Sequence, residues 1–259
     1  MFSVFLLVAI SIGIMFLFNN ATNINVIKIR MQLTEIAKPS IVRHSEVVSS
    51  TKLMDYPKPA LTVNDKILRD LNCPLSEQGL RYCDGTRDQG QSESQGCFAI
   101  YTPNSLVGGL QPAYPIAECL VGDGRYVHQS GCMTTEGTAF VIERQAKYEK
   151  IDSLSKLKSI YAPIESETEA LSYAIAATGY SARYGTETLK DTEYFVEQLE
   201  NTHVEVHGNE YTVRLFDYSL CGCGKHETIA IDVAVNRQGE IREIYREAVY
   251  RDTIKACID

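Results

Sequence analysis

The chain has 259 residues, is 44% hydrophobic and 22% charged, and carries 17 Gly and 8 Pro. That is an ordinary globular composition, which excludes a disordered chain, a collagenous chain and a polytopic membrane protein. A net charge of −8 argues against nucleic acid and anionic lipid as principal ligands.

The first element is apolar. Phe2 to Phe18 reads FSVFLLVAISIGIMFLF, without a charge, and as a helix it would span roughly 26 Å, the low end of a bilayer core. No Lys or Arg precedes it, and Asn19-Asn20-Ala21 is a poor cleavage site. Residues 1–20 are therefore read as an uncleaved single-span membrane anchor, with a cleaved signal segment as the alternative. Two arguments about orientation oppose each other. Lys28, Arg30, Lys38 and Arg43 follow the run, a pattern that keeps the body cytoplasmic. The chain also holds 8 Cys without an obvious cofactor motif, which points to disulfides and an oxidising compartment. The cysteines decide the expectation: an extracytoplasmic body, either membrane-anchored or secreted. A start at Met31 would give a soluble form instead.

Residues 21–60 contain Pro39, Pro57 and Pro59 and read as a tether, although 25–36 can continue the anchor as a helix. Residues 61–164 form a cysteine-rich, mostly β region with Cys73, Cys83, Cys97, Cys119 and Cys132. Within it, 85–96 is a polar surface loop. The spacing predicts strands at 97–101, 116–121 and 138–144, and a short helix over 153–161. Tyr101, Tyr114, Tyr126, Tyr148 and Tyr161 fall here. They are read as rings at the edge of a core, with a recognition surface as the alternative.

Residues 165–259 read as a helix packed on an antiparallel sheet. Ser166 to Glu169 fits a capping box, Ala170, Leu171, Ala174, Ile175 and Ala177 make an apolar stripe, and Gly179 sits at the C-terminal cap. A second helix is expected over 192–200, with Phe195, Val196 and Leu199 inward. The period then switches to two at 204–206, 211–215, 229–235 and 241–250, a four-stranded antiparallel meander. The fold class is α+β. In its order of helix and meander, 165–250 resembles cystatin-like and PepSY-like domains of exported proteins. The resemblance is one of pattern, carries over no functional residue, and implies binding, inhibition or regulation.

The densest constellation is Cys221-Gly222-Cys223-Gly224-Lys225-His226, with Cys257 near the end. Cys221, Cys223, His226 and Cys257 are the candidate metal ligands. One residue between the cysteines is shorter than zinc spacing, so a disulfide-pinned turn is preferred, with a redox-active pair as a further alternative. Parity adds to this. Five cysteines lie at 73–132 and three at 221–257, so full internal oxidation requires an odd number of bridges between the regions. Cys73–Cys83 is one candidate local pair among the 105 possible pairings.

His203 and His207 would form a metal pair on a helix, but the flanking valines place them on a strand, about 13 Å apart, facing solvent. His128 and Ser130 are rejected as a catalytic pair on the ground that neighbouring strand residues point oppositely. Asp84, Asp88 and Asp123 lack calcium-loop spacing. The sequence lacks the full phosphate-loop and nucleophile-elbow patterns. The expectation is a binding protein without cofactor or catalysis, whose partner is a protein or small molecule. Its rivals are a thiol-redox or metal protein centred on the CGCGKH loop, and a protease inhibitor of cystatin-like type.

Overall fold

The computed structural model describes residues 48–49, 66–73, 82–84, 96–132, 135–185, 192–218, 221–253 and 256–258. The chain divides into two units, 1–38 and 39–259, and every described residue belongs to the second. The expected anchor at 1–20, most of the tether and nearly all of the loop at 85–96 lie outside the described residues. Among the described residues, no helix is long and apolar enough to cross a membrane.

In chain order the elements are β1 (Val48–Ser49), α1 (Lys66–Asp70), β2 (Tyr82–Asp84), β3 (Ala99–Tyr101), a 3₁₀ turn (Ser105–Gly109), β4 (Ile116–Val121), β5 (His128–Gln129), β6 (Gly137–Arg144) and β7 (Lys147–Ile151). Then come α2 (Leu154–Tyr161), α3 (Glu167–Thr178), β8 (Thr192–Tyr194), β9 (Gln198–Leu199), β10 (Val204–His207) and β11 (Glu210–Asp217). The chain closes with β12 (Gly222–Gly224), β13 (Glu227–Asn236), β14 (Ile241–Asp252) and β15 (Ala256–Ile258). This is a mixed α+β protein.

The cysteine-rich region builds one sheet in the order β2-β3-β4-β6-β5, with β7 also paired to β6. All of its pairings are antiparallel. The β6–β7 hairpin turns on Gln145 and Ala146, both at positive φ (53° and 58°). Such a turn normally announces itself by Asn or Gly, which is why β7 escaped prediction.

Helix α3 explains how the layers meet. Ser166 Oγ accepts the Glu169 N–H at 3.2 Å, and the Glu169 carboxylate reaches back to the Glu165 N–H at 2.7 Å, one residue before the cap. Gly179 closes the helix at φ 72°, where a Cβ would lie 2.4 Å from the His128 ring. Only glycine fits both the left-handed backbone and that approach. The stripe expected on one face is instead burial all round: every residue from Ala170 to Ala177 is buried, the mark of a helix covered on more than one side. One hydrophobic cluster takes Phe140 and Ile142 from the first sheet, Leu171 and Ile175 from α3, and Val213, Ile231 and Val233 from the second. Ser172 Oγ donates to the Leu106 carbonyl at 2.6 Å and accepts the Gly109 N–H at 3.0 Å. Tyr173 Oη donates to the Gly239 carbonyl at 2.9 Å.

The second sheet runs β10-β11-β13-β14-β8. Its first four strands are the predicted meander. The fifth corrects the expected helix over 192–200: that segment holds β8 and β9. Phe195, Val196 and Leu199 have helical spacing, but pairing overrides it. Tyr194 stands opposite Tyr250, their rings 5.7 Å apart, and aromatic cross-strand contacts favour the extended state.

Candidate functional site

The second sheet has two faces. Tyr211, Val213 and Leu215 of β11 and Ile231, Val233 and Val235 of β13 point to the α3 core and are buried. By alternation, Thr212, Arg214 and Phe216 and then Ala230, Asp232 and Ala234 take the other face. That face is partly covered by 196–200, whose Val196 and Leu199 pack with Phe216, Ala230 and Val249.

Between this cover and the strands lies a groove of about 380 Å³, lined by 196, 198–200 and by Arg214, Phe216, Ala230, Asp232, Tyr245, Glu247 and Val249. Register makes its polar wall. Arg214 stands opposite Asp232, and Asp232 opposite Tyr245, so the three form a row across three strands. The β13–β14 ladder shifts register between Asp232 and Val233 and again between Thr228 and Ile229. Those bulges bracket the stretch of β14 that carries Tyr245 and Glu247 into the groove, a common use of bulges beside binding sites.

Arg214 is saturated by its neighbours. Its Nε donates to Asp232 Oδ1 at 2.5 Å and its Nη2 to Oδ2 at 3.1 Å, a two-pronged pair with side chains only 16% and 17% exposed. The guanidinium lies 5.6 Å above the Tyr245 ring, and Glu200 Oε2 is 3.8 Å away. Tyr245 Oη donates to Glu247 Oε2 at 2.7 Å. That hydrogen bond, with partial burial, holds the phenol above its ordinary pKa, so it is a neutral donor. The lining therefore sets three carboxylates, Glu200, Asp232 and Glu247, against one guanidinium. Leu199, Phe216, Ala230 and Val249 are buried and give the groove an apolar floor. Such a site can hold an apolar body while its rim favours positive charge. No Ser, Thr, Cys, His or Lys is among the described lining residues.

The residues singled out from sequence go elsewhere. Cys132 and Cys221 form a disulfide, Cα to Cα 5.5 Å, and this is the covalent joint between regions that parity required. Cys97 and Cys119 form another, Cα to Cα 5.4 Å. Cys73 and Cys223 are also disulfide-bonded, and Cys223 stands opposite Cys257 in the β12–β15 ladder. The Cys83 and Cys257 side chains lie outside the described set. Since Cys221 and Cys223 are oxidised, neither offers the thiolate that metal binding needs. His226 is buried, and its Nε2 has no hydrogen-bond partner among the described residues. Those residues hold no group of three or more potential metal ligands.

His207 is exposed on β10, but His203 is not solvent-facing as expected: its side chain is 13% exposed, and its Nδ1 lies 2.8 Å from the Asn201 carbonyl. Both imidazoles face Glu205, at 3.8 and 3.2 Å. Alternation does not part His128 from Ser130, because residues two apart in extended chain share a face, and Ser130 lies one residue past the end of β5. The structure separates them by their partners. The His128 ring packs on Phe140 at 6.3 Å and burial lowers its pKa, whereas the Ser130 hydroxyl is bonded to Thr138. Asp123 is paired with Arg125 at 2.6 Å, and Asp88 lies outside the described residues. The tyrosines divide between cores: Tyr161 is buried inside one instead of standing at its edge, Tyr114 packs against it with the two rings 6.4 Å apart, and Tyr126 and Tyr148 border another.

None of the groove's charged groups was picked out from sequence. A faint signal existed in the alternation itself. The face opposite the core carries Phe216, Ala230 and Ala234, which is too apolar for a fully wetted surface and marks a half-covered one. Comparison with known proteins adds no family: no protein-family model, curated protein or solved structure matches the chain.

Proposed function

We propose that this protein is an extracytoplasmic, membrane-anchored or secreted, disulfide-stabilised binding protein that acts without catalysis, and that the groove over β11, β13 and β14 is its ligand seat. The observation that carries this reading is the groove's make-up: buried Leu199, Phe216, Ala230 and Val249 beneath a rim of Glu200 and Glu247. A concave apolar floor with a few oriented polar groups is the usual form of a ligand site. The strongest polar groups, Arg214 and Asp232, bind each other and so shape the site. The disulfides support an oxidising compartment.

The test is a thermal-shift screen of the full chain against a mixed library of amines, peptides and neutral amphiphiles. The reading predicts hits that raise Tm through preferential binding to the folded state. Those shifts should vanish in a full chain carrying Glu200→Lys and Glu247→Lys, two exposed positions where substitution leaves the fold intact. An absence of hits, hits that shift both proteins alike, or a hit that is consumed by the wild-type chain would overturn it.

A further inference from the structure

The rim of the groove is also the edge of a sheet. Strand β8 covers β14 only at Tyr250, Arg251 and Asp252. From Ile241 to Glu247, β14 has β13 on one side and, among the described residues, no strand on the other. Arg242 to Glu247 are all exposed, Ile244 by 45% and Tyr245 by 44%.

Proteins usually blunt such an edge with lysine, proline, bulges or inward-pointing charges. This stretch contains neither Lys nor Pro, and its charged side chains are tied to fixed partners, Glu243 with Arg246 among them at 3.1 Å. Arg242 reaches back over β13 to Glu210 at 2.8 Å. Arg246 donates to Tyr180 at 2.9 Å and to Asp217 at 3.4 Å. Glu243 accepts from Tyr180, and Glu247 is held by Tyr245. The bulge at Ile244 interrupts the edge and leaves Tyr245 to Glu247 as a clean segment beside the groove.

Resting on the ligand seat proposed above, we infer that β14 takes up an extended segment of a partner polypeptide, and that a lysine or arginine side chain of that segment enters the groove. Strand addition supplies the main-chain hydrogen bonds, and the groove reads one alternate side chain. The aliphatic stem of such a residue lies on Leu199, Phe216 and Val249, while its charge meets Glu200 and Glu247. Charge complementarity selects this occupant over a second copy of the chain. The groove has two carboxylates in excess of its guanidinium, and a chain of net charge −8 repels itself.

The experiment is fluorescence anisotropy of the full chain with three labelled probes. One is an alternating Val–Lys peptide, one its Val–Glu counterpart, and one the Val–Lys peptide N-methylated at alternate residues. The first should bind, more weakly as salt rises. Affinity should fall by about tenfold or more for the other two and for the Glu200→Lys, Glu247→Lys chain. Equal binding of the acidic or N-methylated probe overturns the inference, as does no binding of the first. So does a concentration-dependent dimer that protects β14, which would assign the edge to a second copy. If free amines give groove-dependent thermal shifts while the peptide does not bind, the ligand seat stands and the strand-addition inference falls.

Discussion

Glu118 is a carboxylate held where its charge is costly. It lies half-buried on β4, with Oε1 accepting the Asn104 N–H at 2.8 Å, and burial pushes its pKa above the ordinary glutamate value. The folded state therefore holds this proton more tightly than the unfolded chain does. Its contribution to stability is complete below the unfolded value of 4.5 and is lost as pH rises through the folded value. Glu118→Gln keeps an acceptor for Asn104 and removes the charge. It should raise Tm at neutral pH by a few degrees and flatten the pH dependence of melting just above that range. A variant that melts with the wild-type pH profile would contradict this. Ser172 poses the opposite case. Its hydroxyl satisfies two backbone groups, the Leu106 carbonyl and the Gly109 N–H, and there is no room for a larger group, because a Cβ on Gly109 would sit 2.4 Å from Ser172 Oγ. Ser172→Ala strands both partners, so denaturant titration should show a loss of about 1–3 kcal/mol. A change below about 0.5 kcal/mol would show that water replaces the hydroxyl.

At the scale of elements, the Arg214–Asp232 pair links β11 to β13 on the groove face. Asp232→Ala leaves a mostly buried guanidinium with the Tyr245 ring and, as its remaining carboxylate among the described residues, Glu200 3.8 Å away, and should cost about 1–3 kcal/mol. Removing both partners should cost less than the sum of the single changes, a coupling of about 1 kcal/mol in a double-mutant cycle. Strict additivity would mean that the pair contributes only through its separate packing. What was legible in the sequence follows from how local each cause is. The cap at Ser166, the stop at Gly179 and the period-two runs of β10, β11, β13 and β14 are written within a few neighbours, and the elements formed where that pattern placed them. Segment 192–200 was misread because Phe195, Val196 and Leu199 bury against strands distant in sequence, Phe216 and Val249. The groove was illegible for the same reason. Its row of Arg214, Asp232 and Tyr245 exists only through register across three strands, and its roof comes from a fourth segment.

Across the whole molecule, the Cys132–Cys221 bridge spans 89 residues and fastens the cysteine-rich sheet to the loop between β11 and β13. On the chain-entropy model, a closure of that length stabilises by about 4.6 kcal/mol, so Cys132→Ala with Cys221→Ala should lower stability by that order in denaturant titration. The native chain, denatured without reductant, should take up no alkylating reagent, because no cysteine among the described residues is free. After reduction its mass should show all 8 Cys alkylated. Eight free thiols before reduction would remove both the disulfides and the argument for an extracytoplasmic body. The ligand seat is tested most directly by hydrogen–deuterium exchange of the full chain with and without the strongest hit from the thermal-shift screen. Exchange should slow in 196–200, 214–216 and 244–249. Protection confined to the CGCGKH loop at 221–226, with the groove unchanged, would contradict it.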